Sequence, residues 1–310
     1  MEKKIEIMEL LKTKQLLENE LENTIYGSVE IREKEGKKYL YTHYREDGVA
    51  LSKYVGEYSE ELYNLILNNN IKAKELKKKI REVTKSLKNL NYVAEELSEK
   101  VQQNIDFAKR HLVDTIYNQA ILEGVATTFA DTENIIEGGK VNNMTSEDIM
   151  KIVNLKHAWE FILNKNVILS NTDFSLLCEI NRLIEEGFFY TAGKIRSTPV
   201  KIGGTSWQPD FPIETVIKEE LIEIFNFKID DVDKAIELLL YLMKKQIFID
   251  GNKRTSVIFV NHYLISKGKG VIVIPAELTE EFKYLLISYY EGKDDKNIKK
   301  FIKQKCYIKL

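Results

Sequence analysis

Apolar residues return every three or four positions over most of the chain, with only four prolines among 310 residues to interrupt them. That 3.6-residue period predicts a mainly helical protein. Residues 2–24 set Ile5, Leu10, Leu11, Leu16, Leu17 and Leu21 among charges, an amphipathic helix that Gly27 ends. The stretch "SVEIREKEGKKYLYTHYREDGVALSKYVG" then alternates and is broken at Glu35-Gly36 and Asp47-Gly48. Two hairpin connections, and so three short antiparallel strands, follow from it, with Gly56 closing the unit. From about 58 to 110 the helical period returns, and its part "IKAKELKKKIREVTKSLKNL" is strongly basic and spaced like a coiled-coil or helical-hairpin arm. Further helical patterns lie at 107–122, 146–164, 172–187, 214–228, 231–246, 252–267 and 278–291. One irregular region, 191–212, holds all but one of the prolines and suits a short hairpin or flap. Loops of this length inside a compact domain usually carry function. The expected organisation is a helix and small three-stranded unit at 1–57, a basic helical arm or linker at 58–105, and one helical domain at 106–310.

Composition narrows the classes. The chain is 44% hydrophobic, enough for a full core. Its formal net charge of -2 gives no global reason for nucleic-acid or membrane association, so such binding would need a local patch. No apolar run approaches a membrane span and the start "MEKKIEIMELLKTKQ" has no leader-like apolar region, which points to the cytoplasm and no membrane partner. Two cysteines, Cys178 and Cys306, make no disulfide framework and lack metal spacing. The lysine-rich arm reads first as a solvated helix face. The three strands are similar to small sheets that some recombinases and transposases use on DNA, with Lys37, Lys38, Arg45 and Lys53 as phosphate contacts. A nucleic-acid partner and a protein partner for this N-terminal region are both open.

The chemistry concentrates in "QIFIDGNKRTS", residues 246–256, at the mouth of the apolar segment "VIFVNHYLI". Gly251 admits a turn that exposes backbone amides, and a helix N-terminus with its dipole binds anions. Asn252, Lys253 and Arg254 add donors and charge on the first turn. Asp250 stands where a magnesium ligand shared with phosphates would be. Ile247 and Phe248 would anchor the loop in the core.

These residues resemble the central motif of the Fic/Doc (Fido) family, H-x-F-x-[DE]-G-N-[GK]-R, at Phe248, Asp250, Gly251, Asn252, Lys253 and Arg254. "AGKIRSTPVKIGG" followed by "PDFP" resembles the family's flap, and "QAILEG" (119–124) its inhibitory S-x-x-x-E-[GN] helix, with Glu123 at the glutamate. The resemblance implies a Fido-type helical core with a short β-hairpin flap. It implies ATP and Mg2+ as ligands and transfer of AMP to a hydroxyl of an unidentified protein target. One branch transfers phosphate instead, and some members with the glutamate remove AMP. By position Asp250 would bind the metal, Gly251, Asn252 and Lys253 would form the anion hole, and Arg254 would hold a distal phosphate. Val200, Lys201, Ile202 and Gly203 would align the target by strand addition. The resemblance and the Lys/Ile/Asn-rich composition point to a bacterial source.

Three positions depart from the pattern. The family histidine falls on Gln246, whose amide hydrogen-bonds but takes no proton at accessible pH. Losing general-base help typically costs about 10²–10⁴ in rate. The family's second arginine falls on Val257 and the inhibitory serine on Gln119, so Glu123 lacks its usual partner, with Lys253 or Arg254 as substitutes. His262 lies two turns past Arg254, roughly 12 Å along the axis, too far to replace the base. Glu123 is the better alternative base. Two readings follow: a nucleotide-binding protein of the AMP-transfer lineage with weak or altered catalysis, and a nucleotide-sensing or partner-binding pseudoenzyme.

Overall fold

The structure is a computed structural model that describes residues 2–34, 36–46, 49–92, 97–142, 144–293 and 295–310. It divides into two compact units, Met1–Val93 and Ala94–Leu310.

The first unit begins with helix α1 (Glu2–Glu22), followed by strands β1 (Ser28–Lys34), β2 (Lys37–Glu46) and β3 (Val49–Glu57) and helix α2 (Glu60–Asn89). The strands form an antiparallel sheet in the order β1-β2-β3, as the alternation predicts, with a register shift at Leu40/Tyr41. The turn residues Glu35, Asp47 and Gly48 and the side chain of Arg45 lie outside the described residues. Ser59 starts α2 by accepting a hydrogen bond from the Leu62 N–H, with Glu60 and Glu61 at the positive end of the helix dipole. Its apolar side, Ile66, Ala73, Leu76 and Leu87, is buried, and α1 packs against it. Asn70 ties α2 to the start of the sheet: its Oδ1 accepts from the Gly27 N–H at 2.7 Å and its Nδ2 donates to the Gly27 carbonyl at 3.0 Å. The helical pattern read through to 110 stops at Asn89, because Asn91 takes a left-handed conformation (φ 52).

The second unit contains α3 (Glu99–Arg110), α4 (Leu112–Leu122), α5 (Phe129–Ile136), α6 (Ser146–Ile162), α7 (Lys165–Ile168), α8 (Phe174–Ile184), α9 (Glu214–Phe225), α10 (Asp231–Lys245) and α11 (Asn252–Ser266). Strand β4 (Val271–Ile272), α12 (Thr279–Tyr290), α13 (Lys296–Phe301) and β5 (Tyr307–Ile308) complete it, with β4 and β5 paired antiparallel. The single helix expected over 107–122 is two, broken at His111, whose ring packs on Phe107 with centroids 4.3 Å apart. Helix α11 is the axis of the unit. Residues Thr255–Ile265 are all buried, and α3, α6, α8 and α10 pack around them. The polar side chains within that buried stretch, from Thr255 to Tyr263, each have a hydrogen-bond partner. Asn261 exchanges two hydrogen bonds with Ile272 of β4, and His262 bonds Thr172 and the Val167 carbonyl. An axial helix of this kind holds its N-terminus rigidly against the surrounding elements, and that terminus is the candidate site.

Residues 191–212 form turns and extended loop without a strand, so the expected β-hairpin flap is absent as a hairpin. Pro199, Pro209 and Pro212 lack the N–H that a ladder needs. The loop's carbonyls at Thr198, Pro209 and Asp210 accept instead from the Arg196 guanidinium.

Candidate functional site

Helix α10 ends on Gln246, a non-glycine residue in the left-handed region (φ 47, ψ 60). The chain then dips into the core through Ile247 and Phe248, each 1% exposed. Asn252 locks this bend: its Oδ1 accepts from the Phe248 N–H and its Nδ2 donates to the Phe248 carbonyl, both at 2.9 Å. That commitment leaves only the Asn252 backbone N–H for a ligand. Gly251 (φ 72) is the N-cap of α11, and no side chain caps the helix. A Cβ on Gly251 would meet Glu185 Oε1 at 2.3 Å, so glycine is required by both the backbone angle and the carboxylate beneath it. Asp250 is exposed and its Oδ1 accepts from the Gly251 N–H at 2.7 Å.

Around this uncapped helix start the cations face three carboxylates of the same chain. Lys253 Nζ lies 3.3 Å from Glu123 Oε2. Arg254, buried at 3% side-chain exposure, sets Nη2 at 2.9 Å from Glu185 Oε1 and 3.5 Å from Asp250 Oδ2, with Nε 3.9 Å from Glu123 Oε2. The Glu185 contact is close but out of line for a hydrogen bond. Arg254 Nε and Nη1, Glu123 Oε1 and Glu185 Oε1 are buried without a hydrogen-bond partner. Burial pushes the Glu185 carboxyl up to about 7; Arg254 opposes that rise, while Asp250 and Glu123 add to it.

The segment carrying Glu123 is fixed by its neighbour one turn earlier. Gln119 Nε2 donates to the Arg254 carbonyl at 2.8 Å, and its Oε1 accepts from the Trp159 indole at 2.9 Å. Glu123 follows as the C-cap of α4. Both Lys253 and Arg254 therefore stand within ion-pair distance of it, while Val257, at the position of the family's second arginine, is a core residue.

Gln246 Nε2 donates to the carbonyl of Met243 in its own helix at 2.6 Å, and its side chain also bonds the buried Tyr290 hydroxyl. The Tyr290 pKa is raised, chiefly by burial. Tyr290 stacks on Trp207 of the 191–212 loop, centroids 5.3 Å apart, and Thr205 donates to Glu291 at 2.8 Å. At the loop's other end Arg196 donates to the Gln246 carbonyl at 2.6 Å, and its N–H to the Ile247 carbonyl at 3.0 Å. Between these anchors Val200 and Ile202 are half-buried, and Lys201 and Gly203 are exposed.

Four residues of this arrangement were given no role from sequence: Glu185, Asn181, Arg196 and Tyr290. Asn181 joins three elements, donating to the Asp250 carbonyl and Thr255 Oγ1 and accepting from the Gly193 N–H. Glu185 sits one turn after Asn181 on the buried side of α8, a spacing that could have separated it from its exposed neighbour Glu186. His262 is fully buried and burial brings it down to about 4, which makes it a packed residue and no base for this corner. Cys178 is pushed up to about 12 by burial, an inert thiol.

A profile of the Fic/DOC family matches residues 171–264. Protein adenylyltransferase fic-1 of Caenorhabditis elegans is 24% identical over 175 residues, 54% of this chain and 34% of that protein. The chain thus matches about a third of the length of that curated relative. Among solved structures, Fic-1 from C. elegans superposes with a TM-score of 0.53 at 18% identity, covering 79% of this chain and 73% of that one. A Fic domain containing signaling protein from Bacteroides thetaiotaomicron gives a TM-score of 0.52 at 19% identity, covering 68% and 86%.

Proposed function

Because the chain is a Fic/Fido-family protein, we propose that the head of α11 binds the phosphates of ATP or a related nucleotide, within a lineage that modifies proteins by AMP transfer. We further propose that transfer is weak or altered because Gln246 replaces the proton acceptor. The observation that carries nucleotide binding is Arg254: a guanidinium at 3% exposure, with two partnerless nitrogens, at the start of an uncapped buried helix. Phosphate oxygens supply acceptors of the kind those donors lack. In this reading Asn252 and Lys253 offer backbone N–H groups, joined by the Gly251 N–H when Asp250 Oδ1 releases it, Lys253 adds its ammonium, and Arg254 takes a distal phosphate.

The donor set suits magnesium. Among the described residues no group of three or more His, Cys, Asp or Glu is placed to hold a metal. Magnesium shared with a nucleotide needs few protein ligands, since phosphate oxygens and water complete its shell. The exposed Asp250 carboxylate would be the protein's ligand, and the ion would neutralise phosphate charge.

Transfer of AMP joins a target hydroxyl to the α-phosphorus, expels pyrophosphate and requires the hydroxyl proton to go elsewhere. Gln246 cannot take it: its NH2 is committed to Met243, and an amide oxygen is not a base near neutral pH. Missing base help of about 10²–10⁴ corresponds to about 3–5 kcal/mol in the barrier. Glu123 is the nearby carboxylate available as an alternative base or as an inhibitor. In its observed position it holds the cations that a distal phosphate would need, so it competes with the ligand. The exposed loop around Val200, Lys201, Ile202 and Gly203 would dock an unidentified protein target.

A second reading, a nucleotide-sensing pseudoenzyme, is favoured by the tethering of Gln246 to Met243 and Tyr290, which gives this position a structural role. Titration calorimetry with ATP and ADP, with and without magnesium, tests binding. Wild type binds, and Glu123→Gln binds several-fold more tightly. No heat at millimolar nucleotide from either protein would refute the site. Labelled-ATP transfer by wild type and Gln246→His separates the two readings: label from wild type supports altered catalysis, and label only from the revertant supports the pseudoenzyme.

A further inference from the structure

Residues 71–90 hold eight Lys/Arg against two Glu in a chain whose net charge is -2. In the folded unit seven of these cations fall into two groups, and Lys79 lies off both. Lys72 is paired with Glu20 at 2.7 Å, and Lys77 lies over the Tyr26 ring at 4.4 Å, so both are engaged within their own unit. Lys74, Lys78, Arg81, Lys85 and Lys88 are all exposed and are spaced 4-3-4-3 along α2. That spacing puts them in one row on one helix face. Among the described residues the row makes one ion pair, the loose 3.9 Å contact of Lys78 with Glu82. It spans 14 residues, about 21 Å at 1.5 Å per residue. The buried row Ile66, Ala73, Leu76 and Leu87 faces elsewhere, so the cations are not required for packing.

Like charges one turn apart destabilise a helix by a few tenths of a kcal/mol per pair. Helix α2 carries four such neighbours in succession, with Glu82 the one acid that pairs with them among the described residues. We propose that this row is a docking surface for the phosphate backbone of a nucleic acid. A linear array of cations over about 21 Å complements a polymer with regularly repeated negative charge. No exposed large apolar side chain interleaves the five cations, and membrane-surface helices bury such residues between theirs; the exposed Leu67 and Ile71 precede Lys74 on the same face, and the vesicle titration tests them. The same absence implies contact with the backbone and little reading of bases.

Counterion release sets the expected signature. Five phosphate contacts give a slope of log K against log[salt] of about -4.5 on duplex and about -3.5 on a single strand. Affinity then falls roughly 100- to 500-fold between 50 and 200 mM salt. The full chain is titrated against fluorescein-labelled 20-nucleotide single-stranded and duplex DNA and RNA of mixed sequence, with phosphatidylserine vesicles in parallel. A variant with Lys74, Lys78, Arg81, Lys85 and Lys88 changed to Gln keeps helix propensity and loses binding. Circular dichroism verifies its helix content, and a milder variant, K78Q/R81Q/K85Q, lowers the slope by about 2–3. The off-row variant K72Q/K79Q retains binding within about twofold. The proposal is overturned by the absence of nucleic-acid binding at 50 mM salt, or by an unchanged slope in a folded row variant. Equal losses from the off-row variant, or row-dependent capture by the vesicles alone, overturn it too.

Discussion

Changing Glu185 to Gln should unmask a pH dependence that wild type conceals. Glu185 titrates at about 7 in the folded chain against an ordinary 4.5. The folded state therefore binds more protons between those values, and stability present below 4.5 is lost as pH rises through 7. His262 has the opposite sense. It titrates at about 4 when folded against an ordinary 6.5, so the unfolded state binds more protons, and stability present above 6.5 is lost as pH falls towards 4. At 1.36 kcal/mol per unit each displacement corresponds to about 3 kcal/mol, and the windows overlap between about 4.5 and 6.5, where the slopes oppose each other. Both tryptophans, Trp159 and Trp207, lie in the unit that holds Glu185 and His262, so indole fluorescence follows that unit alone. Urea unfolding of wild type and variants at pH 4.5, 5.5, 6.5 and 7.5 isolates each group as a difference from wild type. Relative to wild type, Glu185→Gln should gain about 3 kcal/mol of stability between pH 4.5 and 7.5. His262→Gln should lose about 2–3 kcal/mol over the same range. The constant offset from exchanging a neutral carboxyl for an amide does not affect these differences in slope. Parallel curves for wild type and Glu185→Gln would show that Glu185 titrates as an ordinary carboxylate, and the account of its environment would fail.

Three further outcomes test the corner's construction. Gly251→Ala meets both a left-handed backbone and a buried carboxylate, whereas Gly292→Ala has the same φ of 72 with open space around it. The second should cost about 1 kcal/mol and the first at least about 1 kcal/mol more in urea unfolding; equal costs would show that Glu185 yields freely. Arg196→Met removes donors from four carbonyls and should make residues 191–212 a preferred protease site, measured by limited proteolysis with cleavage mapped by mass spectrometry; unchanged cleavage would deny it the anchoring role. Gln119→Ala leaves the Trp159 indole N–H unpaired, removes a second donor from the Arg254 carbonyl and should cost about 1–3 kcal/mol, with a shift in tryptophan emission; an unmoved spectrum counts against the clamp.

The helical period located α6, α8, α9, α10, α11 and α12 within a few residues, because each has a continuous apolar side of ordinary length. Short elements were missed: α5, α7, α13 and the two-residue β4 and β5 carry too little repeat to stand out. The break at His111 does not show in the sequence, since its local residues are helix-compatible. The loop at 191–212 was legible as irregular, but not its form: a single guanidinium takes up the carbonyls that a hairpin would have paired. At the corner, the glycine and basic residues announced themselves by type and order. Glu185 and Asn181 did not, because they come from a helix about seventy residues earlier in the chain and only the fold brings them under Gly251. Asn252 was assigned as a ligand donor, and its side chain is in fact the staple of the bend.

The double anchorage of Gln119 restricts how the corner can open. With the preceding turn bolted to both α11 and Trp159, α4 has no freedom to slide away as a rigid rod. The ion pair of Glu123 with Lys253 can then part by side-chain torsion of either residue, over picoseconds to nanoseconds if exposed and more slowly where packing confines it. Release of the cations is thus a rotamer event, needing no refolding and leaving the helix framework where it stands.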